Sequence, residues 1–162
     1  MDPNARLPET QDGSVLYNLD PVILRDHYEI DYVHSYAQDS PFFAGLAQGR
    51  LRSTFCPACG YRYGTPRAHC RRCGHATEWF DLPLTGAVHT YTTCYYSGEA
   101  FLADTPFTLI LVEWPGVDSL FLSRLVGAAP DEVHVGLPVR ARFRRLSKFR
   151  VSDVYFVPVA TG

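Results

Sequence analysis

A mainly β chain, in which a metal-clamped ribbon precedes a small barrel, is the fold this sequence predicts. Three observations predict it. Two Cys-x-x-Cys-Gly units, Cys56-Pro57-Ala58-Cys59-Gly60 and Cys70-Arg71-Arg72-Cys73-Gly74, lie close together in the middle of the chain. From Thr85 onward the sequence reads as successive strands bounded by turn residues. The length of 162 residues, 46% of them apolar, suits one medium domain or two small ones.

Taken in order, residues 1–20 carry Pro3, Pro8 and Gly13 without periodicity and read as an arm. Asp20-Pro21 has the form of a helix start. Leu24, Tyr28, Tyr32 and Tyr36 follow at spacing four, compatible with an amphipathic helix over 22–36 or with an extended aromatic segment. A second helix is expected from Ser40 as N-cap through Pro41, Phe42, Phe43 and Leu46, stopped by Gly49. Arg50 to Phe55 alternates as a short strand, and Tyr61 to Tyr63 is expected as a second one beside the first knuckle. Five strands then follow: 86–96, 107–114, 120–126, 139–146 and 154–159, with a helix or turn over 130–136. Five strands interrupted there suggest a Greek-key barrel of the OB type. The predicted class is therefore mainly β, with an N-terminal helical arm, a rubredoxin-like zinc ribbon and a C-terminal five-stranded OB-type barrel. The expected domains are residues 1–48, 49–80 and 81–162.

Four thiolates from Cys56, Cys59, Cys70 and Cys73 can close a tetrahedron around zinc, with iron as the main competitor and two disulfides as the bland alternative. The glycine after each pair lets the backbone turn tightly around sulfur. The N-terminus lacks a basic-then-apolar signal pattern, so reduced thiols and a cytoplasmic location are expected. A tetrathiolate site leaves no position open for water, so the metal is expected to be structural. His69 and His75 flank the second pair and are expected to be solvated or to sit behind the ligands.

Charge excludes some functions. The net charge is −2, with eight acids and two bases in residues 1–48 and six arginines against one acid in residues 49–80. Arg67, Arg71 and Arg72 can offset the formal charge of a zinc tetrathiolate, and the remaining excess is small for a nucleic-acid surface. No apolar run reaches the roughly 20 residues of a membrane span.

Outside the ribbon no catalytic motif occurs. Cys94 invites a nucleophile reading with His89 as base, but residues five apart on a regular strand face opposite sides, so a small core cysteine is the simpler reading. Arg140, Arg142 and Arg144 share one strand face, and Arg145, Lys148 and Arg150 extend it. Either this is a solvated face or it meets phosphates or an acidic partner, and Arg144, Arg145 and Lys148 are the candidates for contact with a phosphate or a partner. Residues 107–114 are apolar on both faces, which suggests a covering partner.

In this order, Phe42-Phe43-x-x-Leu46, the two knuckles with Pro66-Arg67 between them, Gly86-x-Val88-x-Thr90-Tyr91-Thr92, Ser123-Arg124-Leu125-Val126-Gly127 and Val135-Gly136-Leu137-Pro138-Val139 resemble a known family. It comprises the zinc-ribbon/OB proteins that accompany thiolases and related acyl-CoA enzymes. The resemblance covers residues 36–160 and implies an accessory subunit without chemistry of its own. Such a subunit binds a thiolase-fold partner that supplies the catalytic groups for CoA-dependent cleavage of a 3-oxoacyl-CoA, and it helps shape the CoA or acyl-CoA site. The acidic arm is similar to that of zinc-finger subunits of benzoylsuccinyl-CoA-type thiolases. A single-stranded nucleic-acid binder is the alternative, disfavoured by the negative net charge and a single lysine.

Overall fold

In the computed structural model, the described residues are 15–19, 22–25 and 29–159. The chain divides into two compact units, residues 1–35 and 36–162.

In the first unit, β1 (Val15–Leu19) pairs antiparallel with β2 (Val22–Arg25), with an irregularity between Leu16 and Asn18. The helix expected over 22–36 is therefore corrected at its start. Val22-Ile23-Leu24 is a β-favouring run, and a neighbouring strand outweighs the spacing of the tyrosines. Asp20 and Pro21, its expected first residues, lie outside the described residues.

In the second unit, a 3-10 turn (Ala37–Asp39) leads into α1 (Ser40–Ala47). The expected cap is also corrected: Asp39 holds the N-cap position without a side-chain bond, and the Ser40 hydroxyl donates to the Ala37 carbonyl at 2.6 Å. The C-terminus is as expected. Gly49 sits at φ 71°, its N–H donates to Leu46 O at 3.1 Å, and Arg50 N–H donates to Gly45 O at 2.9 Å. That is the Schellman closure, and its left-handed residue favours glycine. Phe42, Phe43 and Leu46 on this helix are buried in the main core.

The ribbon strand β3 (Arg52–Phe55) pairs with β4 (Glu78–Asp81), not with Tyr61–Tyr63. The Tyr61–Tyr63 segment contributes only an isolated bridge, Phe55↔Arg62, because the knuckle bends the chain before a ladder can extend. Next come β5 (Thr85–Cys94), a short helix α2 (Glu99–Leu102), β6 (Phe107–Glu113), β7 (Phe121–Leu125), a 3-10 turn (Pro130–Glu132), β8 (Pro138–Phe143), a second such turn (Val151–Asp153) and β9 (Val154–Pro158). The five strands close as β5-β6-β7-β9-β8, with β8 returning to β5. This is a closed five-stranded barrel, as the sequence led one to expect, and its strand order comes from the structure. Alternation sets the interior: on β6, Thr108, Ile110 and Val112 are buried while their neighbours are half-exposed. The barrel core joins Val88, Val139, Ala141 and Phe156 to Phe42 and Leu46 of α1 and to Leu51 and Leu82 beside the ribbon strands. No helix among the described residues is long and apolar enough to cross a membrane.

Candidate functional site

Each knuckle is built by the same backbone device. Gly60 N–H donates to Cys56 O and Gly74 N–H to Cys70 O, both at 2.8 Å, with the two glycines at φ 75° and 76°. Cys56 N–H donates to Tyr61 O and Cys70 N–H to His75 O, again both at 2.8 Å, so each loop folds back on its own start. The four sulfurs of Cys56, Cys59, Cys70 and Cys73 consequently lie within 4.8 Å of one another. Two of the separations are 3.4 Å (Cys56–Cys73) and 3.5 Å (Cys59–Cys70). A metal with bonds of about 2.3 Å to four thiolates sets its sulfurs about 3.8 Å apart, so the donor set fits tetrahedral zinc. Disulfide pairing does not describe these residues: all five cysteines are free.

Groups around the sulfurs support them. Tyr63 is buried, its hydroxyl lies 3.5 Å from Cys70 Sγ, and the same oxygen accepts Arg71 N–H at 2.8 Å. Arg72 N–H points to Cys70 Sγ at 3.4 Å. Burial pushes the Cys70 thiol up, but these hydrogen bonds and one from Cys73 N–H outweigh it and lower its pKa to about 6. Arg71 and Arg72 lie over the Tyr61 ring, 5.4 and 5.3 Å from its centroid, and bring positive charge beside the thiolates. Tyr63 and Tyr61 were absent from the sequence-based candidates; their place before the second knuckle was the available signal.

The ribbon is tied to the barrel by the turn between β6 and β7. Arg62 N–H donates to Asp118 Oδ2 at 2.8 Å, Asp118 N–H to Arg62 O at 2.9 Å, and Tyr61 hydroxyl to Asp118 O at 3.0 Å. Gly64 N–H donates to Ser119 Oγ at 2.9 Å.

The basic candidates lie on the loop after β8. Arg140 and Arg142 are exposed on the outer face of β8 while Val139 and Ala141 point inward, as the alternation requires. The loop is organised by Asp153, whose Oδ2 accepts from Ser147 hydroxyl (2.7 Å), Lys148 N–H (2.7 Å) and Arg150 N–H (3.3 Å). Its Oδ1 faces Arg144 Nε at 3.6 Å, with the Asp153 side chain 1% exposed. Burial pushes the Asp153 carboxyl up, but the Ser147 hydroxyl and the loop N–H groups outweigh it, and the pKa falls below its ordinary value. The structure thus brings Arg144 and the Lys148 backbone to one carboxylate and leaves the side chains of Arg145 and Lys148 exposed. Sequence reasoning missed Asp153, a lone acid whose partners are set by the loop.

His89 and Cys94 remain apart. The β5–β6 register shifts between Val88 and Thr90, and His89 Nδ1 meets Glu113 Oε2 at 2.6 Å. Cys94 lies opposite Phe107, about 16 Å along the strand from His89 at the usual rise per residue.

Residues 43–79 match the model of the ChsH2 rubredoxin-like zinc ribbon domain, and residues 79–144 match that of the ChsH2 C-terminal OB-fold domain. A DUF35 domain-containing scaffold protein of Methanocaldococcus jannaschii is 27% identical over 95 residues, which is 57% of this chain and 67% of that protein. A probable enoyl-CoA hydratase alpha subunit of Thermomonospora curvata is 30% identical over 105 residues, which is 63% of this chain and 32% of that longer protein. Among solved structures, an Ltp2-ChsH2(DUF35) aldolase superposes with TM-score 0.60 at 24% identity, covering 74% of this chain and 93% of the other. A DUF35-family protein of Sulfolobus solfataricus gives TM-score 0.56 at 23% identity, covering 74% and 84%. At these identities the two structures establish the shared fold.

Proposed function

The chain belongs to the ChsH2 family of zinc-ribbon and OB-fold proteins, and from that premise we propose that it is a non-catalytic accessory subunit of a thiolase-type acyl-CoA enzyme complex. The observation that carries this reading is the names its relatives bear: one is a scaffold protein and another a probable enoyl-CoA hydratase alpha subunit, and a structure of the same fold is titled an Ltp2-ChsH2(DUF35) aldolase. Two features of the chain agree with it. Four cysteines fill a tetrahedral metal, so a zinc held there stabilises the ribbon and has no site for substrate. Leu122 and Val126 on the barrel exterior are exposed, as an accessory surface awaiting a partner would have them.

In this reading residues 49–80 form the metal-clamped ribbon and residues 81–162 the barrel, and the protein works in the cytoplasm. The catalytic cysteine and histidines of a CoA-dependent 3-oxoacyl-CoA cleavage come from the thiolase-fold subunit, with an aromatic acyl group of the benzoylsuccinyl type as the substrate suggested by the acidic arm. Arg144, Arg145 and Lys148 are offered to a CoA phosphate or to the enzyme itself. The testing experiment is co-expression with the thiolase-type enzyme encoded nearest to it, followed by purification and assay. A stable complex whose acyl-CoA turnover drops when this chain is omitted is expected. Equal turnover by the enzyme alone, or turnover of a thioester by this chain alone, overturns the proposal. Tight, salt-sensitive binding of a single-stranded oligonucleotide in place of the enzyme would favour the alternative class.

A further inference from the structure

The barrel closes unevenly. Strands β7 and β9 run parallel and share one ladder position, Leu125↔Phe156. Before that position on β7 they part, and only the Ser123 hydroxyl reaches across, to Val154 O at 3.3 Å. An open groove of about 590 Å³ lies along this parting, with Leu109, Leu122, Val126, Val151 and Tyr155 among its lining residues. Leu122 is 55% exposed and Val151 52%, so the groove is an apolar surface in contact with water.

Its flank is basic. Arg124 and Arg144 also line the groove, but Arg124 is held by Asp104 at 2.9 Å and Arg144 faces Asp153. Arg142 pairs laterally with Tyr155 and so shares its face of the sheet. Arg145, Lys148 and Arg150 extend from the adjoining loop. These four cations are exposed, and none makes an ion pair among the described residues.

We propose that this groove is the docking site for an amphipathic segment of the partner enzyme, whose apolar side chains fill it and whose carboxylates meet the basic flank. The inference rests on the accessory-subunit reading above and adds the face used and the chemistry of what it receives. An apolar floor beside unpaired cations matches a segment with an apolar stripe and an acidic edge. A single-stranded nucleic acid needs aromatic rings spaced along a basic track for its bases to stack upon. Here the floor is mostly aliphatic, and the two cations within the groove already face carboxylates.

The test uses the full chain and the purified enzyme subunit, with the dissociation constant measured at two salt concentrations. Leu122→Asp and Val151→Asp place a carboxylate in the groove at exposed positions and are expected to weaken the complex at least about tenfold each. Arg142→Glu is expected to weaken it and to reduce its salt dependence. Val135→Asp, at a residue 65% exposed and outside the groove, is expected to bind as the unchanged chain does. Metal content and melting temperature establish that each variant is folded, and Arg142→Glu decides the matter if an aspartate variant is not. Variants that bind the enzyme normally overturn the groove assignment and leave the accessory role standing, whereas an unchanged chain that forms no complex overturns both. Loss of self-association or of oligonucleotide binding in the groove variants, with enzyme binding retained, assigns the groove to a second copy or to nucleic acid and overturns the proposal.

Discussion

Tyr63 hydroxyl lies 3.5 Å from Cys70 Sγ, and its ring packs at a tilt of 55° against that of Tyr61, whose centroid is 4.8 Å away. The phenol therefore joins the metal site to the small core of the ribbon. Removing its hydroxyl in Tyr63→Phe leaves the packing and deletes the hydrogen bond to the thiolate. Metal affinity, measured by competition with a chromophoric chelator, is expected to fall about tenfold, the lower end of what partners of metal ligands contribute. Unchanged affinity would remove Tyr63 from the site.

Stripping the metal is expected to unravel the ribbon while the barrel holds. The ribbon's own core is limited to Cys56, Tyr61, Tyr63 and Cys70, whereas the barrel strands bury Val88, Ile110, Val112, Val139 and Phe156 among themselves. Trypsin then cleaves at Arg62, Arg67, Arg71 and Arg72 soon after chelation, and fragments containing 85–158 persist. Mass spectrometry of the digest checks this. Simultaneous loss of barrel and ribbon would show that they form one cooperative unit.

Asp153→Asn is expected to destabilise the protein by about 3 kcal/mol, because a buried carboxylate with several donors becomes a neutral amide that leaves some of them unmatched. The pH dependence has a definite sign. A carboxyl whose folded pKa is depressed gives stability that is present above its unfolded value, about 3.9, and is lost as pH falls through the lower folded value. The gap between wild type and variant in denaturant titrations is therefore expected to narrow below about pH 4. A constant gap down to pH 2 would mean that the charge does not matter.

Gly64→Ala tests the joint between ribbon and barrel. A Cβ there would meet Ser119 O at 2.6 Å and Leu120 backbone carbon at 2.8 Å, neither of which can move aside as a side-chain tip can. The expected cost is about 1–3 kcal/mol, seen as a lowered melting temperature, with the bond to Ser119 Oγ broken. A variant as stable as the parent would show that the joint tolerates separation.

Much of this was legible in the chain because the signals are local. A Cys-x-x-Cys-Gly unit contains its own knuckle, so Cys56, Cys59, Cys70 and Cys73 could be grouped before any contact was known. The barrel strands could be read because alternation such as Val139-Arg140-Ala141-Arg142 records which face is buried. What stayed hidden depends on distant partners. The neighbour of β3 is Glu78–Asp81, beyond both knuckles, and nothing near Arg52–Phe55 points to it. The tyrosines at spacing four imitate a helix, yet Val22–Arg25 found a strand to pair with. Asp153 became a loop organiser only once residues 147–150 folded back over it.

Of the four sulfur-bearing residues, Cys56 and Cys70 are buried while Cys59 and Cys73 are exposed. The cage thus has a closed floor and an open mouth. An ion held by the four sulfurs would be reached from solvent past Cys59 and Cys73, so loading and theft by a competing chelator would share one doorway.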